Sequence, residues 1–405
     1  MNNMIFSPAN IRLPKGDKTA YEKWAVIACD QFTSEPEYWD EVRKNCKNAP
    51  SAHNLVLPEA YLGTPLEVSQ KGTIQASMEK VEEDTYSLEN TLVYIRRTLP
   101  DGKIRHGIVG KIDLTQYDYT PESKSAVRAT EQTVLERIPP RCAIRGEATY
   151  ELPHVMLFMD DSVGVFETLE KKVPNLEKLY DFSLMLGGGN IEGYKIDGEE
   201  LSSIMASMQA YERSREGGIV YAVGDGNHSL AAAKAHFENV KKSLGDAATQ
   251  HPARYALVEV VDLKDKAIVF EPIYRIIKGC DRDDLINKVK ELNGEGEQKI
   301  TMLTDEESFE ISFKTPTHAL TVGSLQNFLD DYVKSNKGAE CDYIHDEESL
   351  KALCKDKNTV GFIFDGMAKE ALFPYAEQFG TLPRKTFSMG EARSKRYYIE
   401  TRKIR

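Results

Sequence analysis

What this 405-residue sequence lacks removes several classes of protein at once. No apolar run approaches the roughly 18 to 20 residues that a membrane-spanning helix needs, and the opening Met1 to Lys15 has no apolar signal core. Basic charge is in deficit. The 52 Lys and Arg face 64 Asp and Glu, a formal net charge of −12, which argues against general attraction to nucleic acid or anionic lipid. The six cysteines, Cys29, Cys46, Cys142, Cys280, Cys341 and Cys354, stand singly, with neither a C-x-x-C pair nor disulfide spacing. That pattern suits a reducing, cytoplasmic setting. His106, His154 and His236 fall in no H-E-x-x-H or Cys/His ligand spacing, so no zinc site is expected. There is no internal repeat and no low-complexity segment.

What remains is an ordinary globular composition, 41% hydrophobic and 29% charged, in a chain longer than one hydrophobic core usually supports. The pattern of elements predicts a mixed α/β (α+β) protein with an N-terminal region, 1–248, and a smaller C-terminal α/β lobe, 249–405. Trp24 to Cys29 reads as a short buried strand ending at Asp30, and Ser34 with Glu37 reads as a capping box opening a helix to about Cys46. Thr91 to Leu99 and Ile104 to Leu114 flank Pro100-Asp101-Gly102 as a hairpin. Val127 to Glu136 reads as helical, with Ile138-Pro139-Pro140-Arg141 leaving that helix because proline removes a donor. Arg128, Arg137, Arg141 and Arg145 crowd this region. Val155 to Met159 reads as a strand and Leu201 to Arg213 as a helix. In the second lobe, strands are expected at Tyr255 to Leu263, Ala267 to Phe270, Phe309 to Phe313, Ala319 to Val322 and Thr359 to Phe364. Helices are expected at Asp281 to Leu292, Leu325 to Lys334 and Glu347 to Lys355.

One turn carries chemistry. Gly218 to Val223 reads as a strand, and Leu230 to Leu244 as a helix with the apolar face Leu230, Ala233, Phe237 and Val240. Between them lies Gly224-Asp225-Gly226-Asn227-His228-Ser229. Two glycines allow positive φ and close approach of a ligand, and the helix start offers unpaired N–H groups and a positive dipole end. Gly226, Asn227, His228 and Ser229 are therefore candidate phosphate ligands. The same residues also fit a plain turn in which Asp225, Asn227 or Ser229 caps the helix and His228 packs. The segment is no Walker loop, since no Gly-Lys-Ser/Thr occurs in it, and Ser229 has no G-x-S-x-G setting.

The stretch Asp225-Gly226-Asn227-His228-Ser229 resembles the Asp-Gly-His-His-Arg signature of the ParB/sulfiredoxin-like free serine kinases and their bacterial domain-of-unknown-function relatives. Asp225, Gly226 and His228 are kept; Asn227 stands at the first histidine and Ser229 at the arginine. Four further segments are similar in order to those relatives: Ala28-Cys29-Asp30, Thr130-Glu131-Gln132-Thr133, Tyr274-Arg275, and the ending Leu382 to Arg402. In sulfiredoxin a cysteine precedes the helix-opening histidine. Asn227 takes that place here, and an amide is no thiolate, so sulfinic-acid reduction is set aside.

The resemblance implies a cytoplasmic small-molecule kinase that moves a phosphoryl group from pyrophosphate or a nucleotide to the hydroxyl of free serine or a similar metabolite. Such chemistry needs a held phosphate, charge neutralisation and a base. Glu131, Asp30 and His228 are the catalytic candidates. Arg141 and Arg145 join the phosphate ligands, Arg275 is the candidate for a substrate carboxylate, Asp225 is the candidate metal ligand, and Mg²⁺ is the expected counterion. The expected partners are the small-molecule substrate and phosphate donor, with neither nucleic acid nor membrane. Two other readings stay open: a ParB-like nucleotide-sensing binding module, and an inactive regulatory relative that keeps only anion binding.

Overall fold

The structure, a computed structural model, describes residues 4–152 and 154–405. The chain is mixed α and β, as its pattern of elements implies, and separates into two compact units. The first comprises Met1–Ile268 together with Glu391–Arg405, and the second Val269–Gly390. The expected boundary at 248/249 therefore moves. The strand Tyr255–Asp262 pairs antiparallel with Ile104–Asp113 and parallel with Met156–Met159, so it is a central strand of the first unit.

An eleven-stranded mixed sheet organises the first unit. Its path runs Lys178–Ser183, Asn190–Ile196, Thr85–Thr98, Ile104–Asp113, Tyr255–Asp262, Met156–Met159, Tyr221–Asp225, Val127–Ala129 and Tyr117–Asp118. Thr85–Thr98 and Ile104–Asp113 form the hairpin that the Pro-Asp-Gly turn predicts. Side chains alternate across a strand, and one stretch shows both faces buried. Leu92 and Tyr94 enter a core with Leu157, Val223, Leu230 and Phe237, while Val93 and Ile95 enter another with Trp24, Trp39, Leu257 and Tyr397.

Three local expectations change. Val127–Ala129 is a strand, held parallel to Tyr221–Asp225 by a pairing partner nearly a hundred residues away that no local pattern shows. The helix lies after it, at Ile138–Glu147, and begins with its prolines in the first turn, where a missing N–H has no intrahelical acceptor to lose. The early strand is only Val26–Ile27, since Trp24 closes the helix Lys18–Trp24; the next helix, Pro36–Asn45, starts on Pro36 with Glu35 at its N-cap and no side-chain cap bond.

The second unit has a five-stranded antiparallel sheet in the order Ser308–Ser312, Lys299–Leu303, Thr359–Ile363, Tyr274–Lys278, Glu340–Ile344. Helices Arg282–Lys290 and Thr321–Ser335 contribute Leu285, Val289, Leu325 and Leu329 to its core. The strand expected at Ala319 to Val322 is absent, because those residues run into the start of Thr321–Ser335. No helix among the described residues is long and apolar enough to cross a membrane.

The chain then returns to the first unit. Tyr397–Tyr398 pairs with Val26–Ile27 and Arg402–Lys403 with Tyr150–Glu151, so the last fifteen residues are stitched to segments distant in sequence.

Candidate functional site

The glycine turn lies where the sequence places it, between the strand Tyr221–Asp225 and the helix Asn227–Leu244. Gly226 is the N-cap in the left-handed region, with φ 82° and ψ 27°. A Cβ there would come within 3.0 Å of the Val155 Cα, so both the conformation and the close approach need glycine. Asp225 accepts the Gly226 N–H at 2.9 Å through Oδ1. This is the loop-ordering role of a turn aspartate. Leu230, Ala233 and Phe237 are buried beneath the helix, as its spacing predicts.

The sheet brings further groups to this end of the strand. Ala129 pairs with Val223, which sets Thr130 and Glu131 beside the turn, and the Thr130 hydroxyl donates to the Val223 carbonyl at 2.7 Å. His154 precedes the antiparallel neighbour Met156–Met159. Its Nδ1 lies 2.7 Å from the Tyr398 hydroxyl, and its Nε2 lies 3.4 Å from Ser229 Oγ and 3.6 Å from Asp30 Oδ2. The Tyr398 hydroxyl donates to Cys29 Sγ and accepts the Cys29 N–H, both at 3.2 Å. His154 Nε2 therefore faces both Ser229 and Asp30.

Burial alone would raise the Asp30 carboxyl, but the facing His154, the Gln31 amide and Lys395 together hold it below the usual carboxylate range. Lys395 itself lies 3.5 Å from Asp225 Oδ2. The Cys29 thiol is pushed up to about 12, first by burial and then by the charge of Asp30. Both effects disfavour its thiolate, the nucleophilic form.

Other expected site residues have partners of their own. His228 Nε2 accepts the Val134 N–H at 3.2 Å, which ties the helix start to the segment after Glu131. Arg141 pairs with Glu59, and Arg145 with the buried Glu151. Their guanidinium groups fix the helix Ile138–Glu147 to neighbouring segments. Arg275 lies within a strand of the second unit and is fully buried. It donates to Gln326 Oε1 at 2.9 Å and to the carbonyls of Ile273, Lys385 and Arg384, and sits over the Tyr343 ring. Four of its five N–H donors are engaged within the second unit.

Two prominent members escape sequence reasoning. His154 is set aside in the sequence for want of metal-ligand spacing, and Lys395 lies inside the terminal segment without a motif. Only the ordered likeness of Leu382 to Arg402 points toward the latter.

In sequence, residues 8–335 match the family described as a protein of unknown function, DUF1015. The chain belongs to that family. The match covers Asp30, Glu131, His154 and the turn, and ends before Lys395 and Tyr398. No curated protein matches in sequence. Among solved structures, this family member is similar to a conserved hypothetical protein from Pyrococcus furiosus, at 16% identity and TM-score 0.34 over 71% of this chain and 90% of that one. It is also similar to a free serine kinase in complex with AMP, at 14% identity and TM-score 0.38 over 71% and 90% of the two chains. A third is SbnI with a C-terminal truncation from Staphylococcus aureus, at 9% identity and TM-score 0.37 over 70% and 83%.

Proposed function

We propose that this protein is a small-molecule phosphotransferase of the ParB/sulfiredoxin-like kind, moving a phosphoryl group from pyrophosphate or a nucleotide to the hydroxyl of free serine or a similar alcohol. The observation that carries the reading is a convergence. Asp30, Thr130 and Glu131, Asp225 to Ser229, and the terminal segment with Lys395 and Tyr398 are far apart in sequence, yet the first unit gathers them at one strand end. These are four of the five segments on which the sequence likeness rests.

In this reading the N–H groups at the start of Asn227–Leu244 hold a phosphate of the donor, aided by the helix dipole. The acceptor hydroxyl oxygen forms a new bond to phosphorus while the bridging P–O bond of the donor breaks. Phosphate or the shortened nucleotide leaves with that electron pair, and the hydroxyl proton passes to the Asp30 and His154 pair. A carboxylate kept ionised and facing an imidazole suits that role. In this reading Glu131, which follows the neighbouring strand, orients the acceptor.

Among the described residues no three His, Cys, Asp or Glu side chains group into a ready-made metal cage. Mg²⁺ bound with the donor would take Asp225 as its carboxylate ligand and would neutralise phosphate charge. Phosphorus NMR of the protein with serine, threonine or small polyols and pyrophosphate, ADP or ATP tests the reading. A new phosphate ester that needs both acceptor and protein is expected. Donor signals unchanged from the protein-free control in every pairing would refute it.

A further inference from the structure

A phosphate site read this way has a charge deficit. Ser229 stands where the Asp-Gly-His-His-Arg signature that the turn resembles carries arginine, and Arg141 and Arg145 are taken by Glu59 and Glu151. We propose that Lys395, delivered by the returning terminal segment, is the cation that binds the donor's phosphate in this site. The proposal rests on the phosphotransferase reading and names the residue that replaces the missing arginine.

Three observations support it. First, the Lys395 side chain is only 13% exposed, and its Nζ faces Asp225 Oδ2 across 3.5 Å. That separation is an ion pair without a good hydrogen bond. Among the described residues the ammonium makes no hydrogen bond, so its three donors are open to a ligand or to water. An oxyanion between the helix start and Nζ would use them.

Second, the charge of Lys395 acts on Asp30 as well as on Asp225, the carboxylate its Nζ faces. With a phosphate bound, lysine supplies the point charge that this ligand class often takes from lysine rather than arginine.

Third, the backbone of Lys395 is held from behind. The buried Arg97 donates to the Lys395 carbonyl at 3.2 Å and to the Arg393 carbonyl at 3.0 Å, and the buried Arg105 donates to the Ser394 carbonyl at 2.9 Å. The next residue, Arg396, is buried between Glu259 and Glu400, each at 2.8 Å. Such anchoring fixes where the ammonium is presented, as a binding group requires and a mobile surface lysine does not.

The test is calorimetric titration of the full chain with inorganic pyrophosphate and with ADP, on wild type, K395M, K395Q and K395R, each shown to be folded by its thermal melt. The wild type is expected to bind at least one of the two. Both neutral variants should lose at least ten-fold in affinity and K395R should regain most of it; the slope of affinity against salt should fall in the neutral variants. If one neutral variant does not fold, the other gives the answer. Wild-type affinity in a folded neutral variant would overturn the role of Lys395 and leave the phosphotransferase reading intact. Failure of the wild type to bind either ligand or to turn over any donor would overturn that reading, and this proposal with it.

Discussion

At the scale of single residues the site is built on paired charges. Asp30 is ionised more readily in the folded protein than in an open chain, because His154, Gln31 and Lys395 outweigh its burial. A carboxyl lowered by folding contributes stability above its unfolded value, near pH ~3.9, and loses it as pH falls through the lower folded value. Melts of wild type and Asp30→Asn should therefore differ most near neutrality and converge as pH is lowered through the acid range. A gap that stays constant with pH would count against the charge as its cause. Arg396 makes a harder test. Its guanidinium joins Glu259 and Glu400 in a fully buried triad, and removing one member of such a group leaves unpaired charge. Arg396→Met is expected to cost about 3–5 kcal/mol in denaturant unfolding. The residue scale is also where sequence reading falls shortest. Asp30 and Asp225 to Ser229 are visible because they sit at element ends with turn chemistry, whereas His154 and Lys395 gain meaning only from partners 75 and 170 residues away, Ser229 and Asp225. Arg141, Arg145 and Arg275 look like oxyanion ligands in the sequence because their carboxylate and carbonyl partners are invisible there.

At the scale of elements, the order of strand, glycine turn and helix up to Leu244 is legible, since strand residues, positive-φ glycine and helical apolar spacing agree with one another, although the strand runs on to Asp225 and the helix begins at Asn227 rather than Leu230. Gly226 tests how much the turn depends on its backbone. With φ 82° and the Val155 Cα 3.0 Å from any added Cβ, Gly226→Ala should lower stability by roughly 1–3 kcal/mol through strain alone. It should also weaken anion binding, because the first N–H groups of the helix would be re-aimed. An alanine variant with unchanged melting temperature and unchanged pyrophosphate affinity would show that the turn is not held as described. The elements that were misread share a cause. Val127–Ala129 is a strand only by virtue of its pairing with Tyr221–Asp225, and Ile138–Glu147 is a helix that uses its prolines where they cost nothing. Local propensity reports neither fact.

At the scale of the whole molecule, the first unit is closed by the last fifteen residues, which supply Lys395, Arg396, Tyr398 and Arg402 after the second unit has been completed. A mixed α/β fold with a second lobe was legible from the rhythm of elements, but the return of the chain was not, because short strands such as Tyr397–Tyr398 have no signature of their own. The second unit has its own core of Ile277, Leu285, Leu325, Leu329 and Phe362, so residues 269–390 expressed alone should unfold in one cooperative transition. A chain ending at 390 should leave the first unit without that transition; retention of a cooperative melt in both units would contradict the closing role. The central claim, that the turn at Asp225 to Ser229 is a phosphate site, is tested most directly by a crystal structure of the full chain soaked with pyrophosphate and serine. The expected result is a phosphate within hydrogen-bond distance of the N–H groups that open the helix Asn227–Leu244 and of Lys395 Nζ, with the serine hydroxyl facing Asp30 and His154. A phosphate bound only elsewhere, with these N–H groups facing water alone, would contradict it.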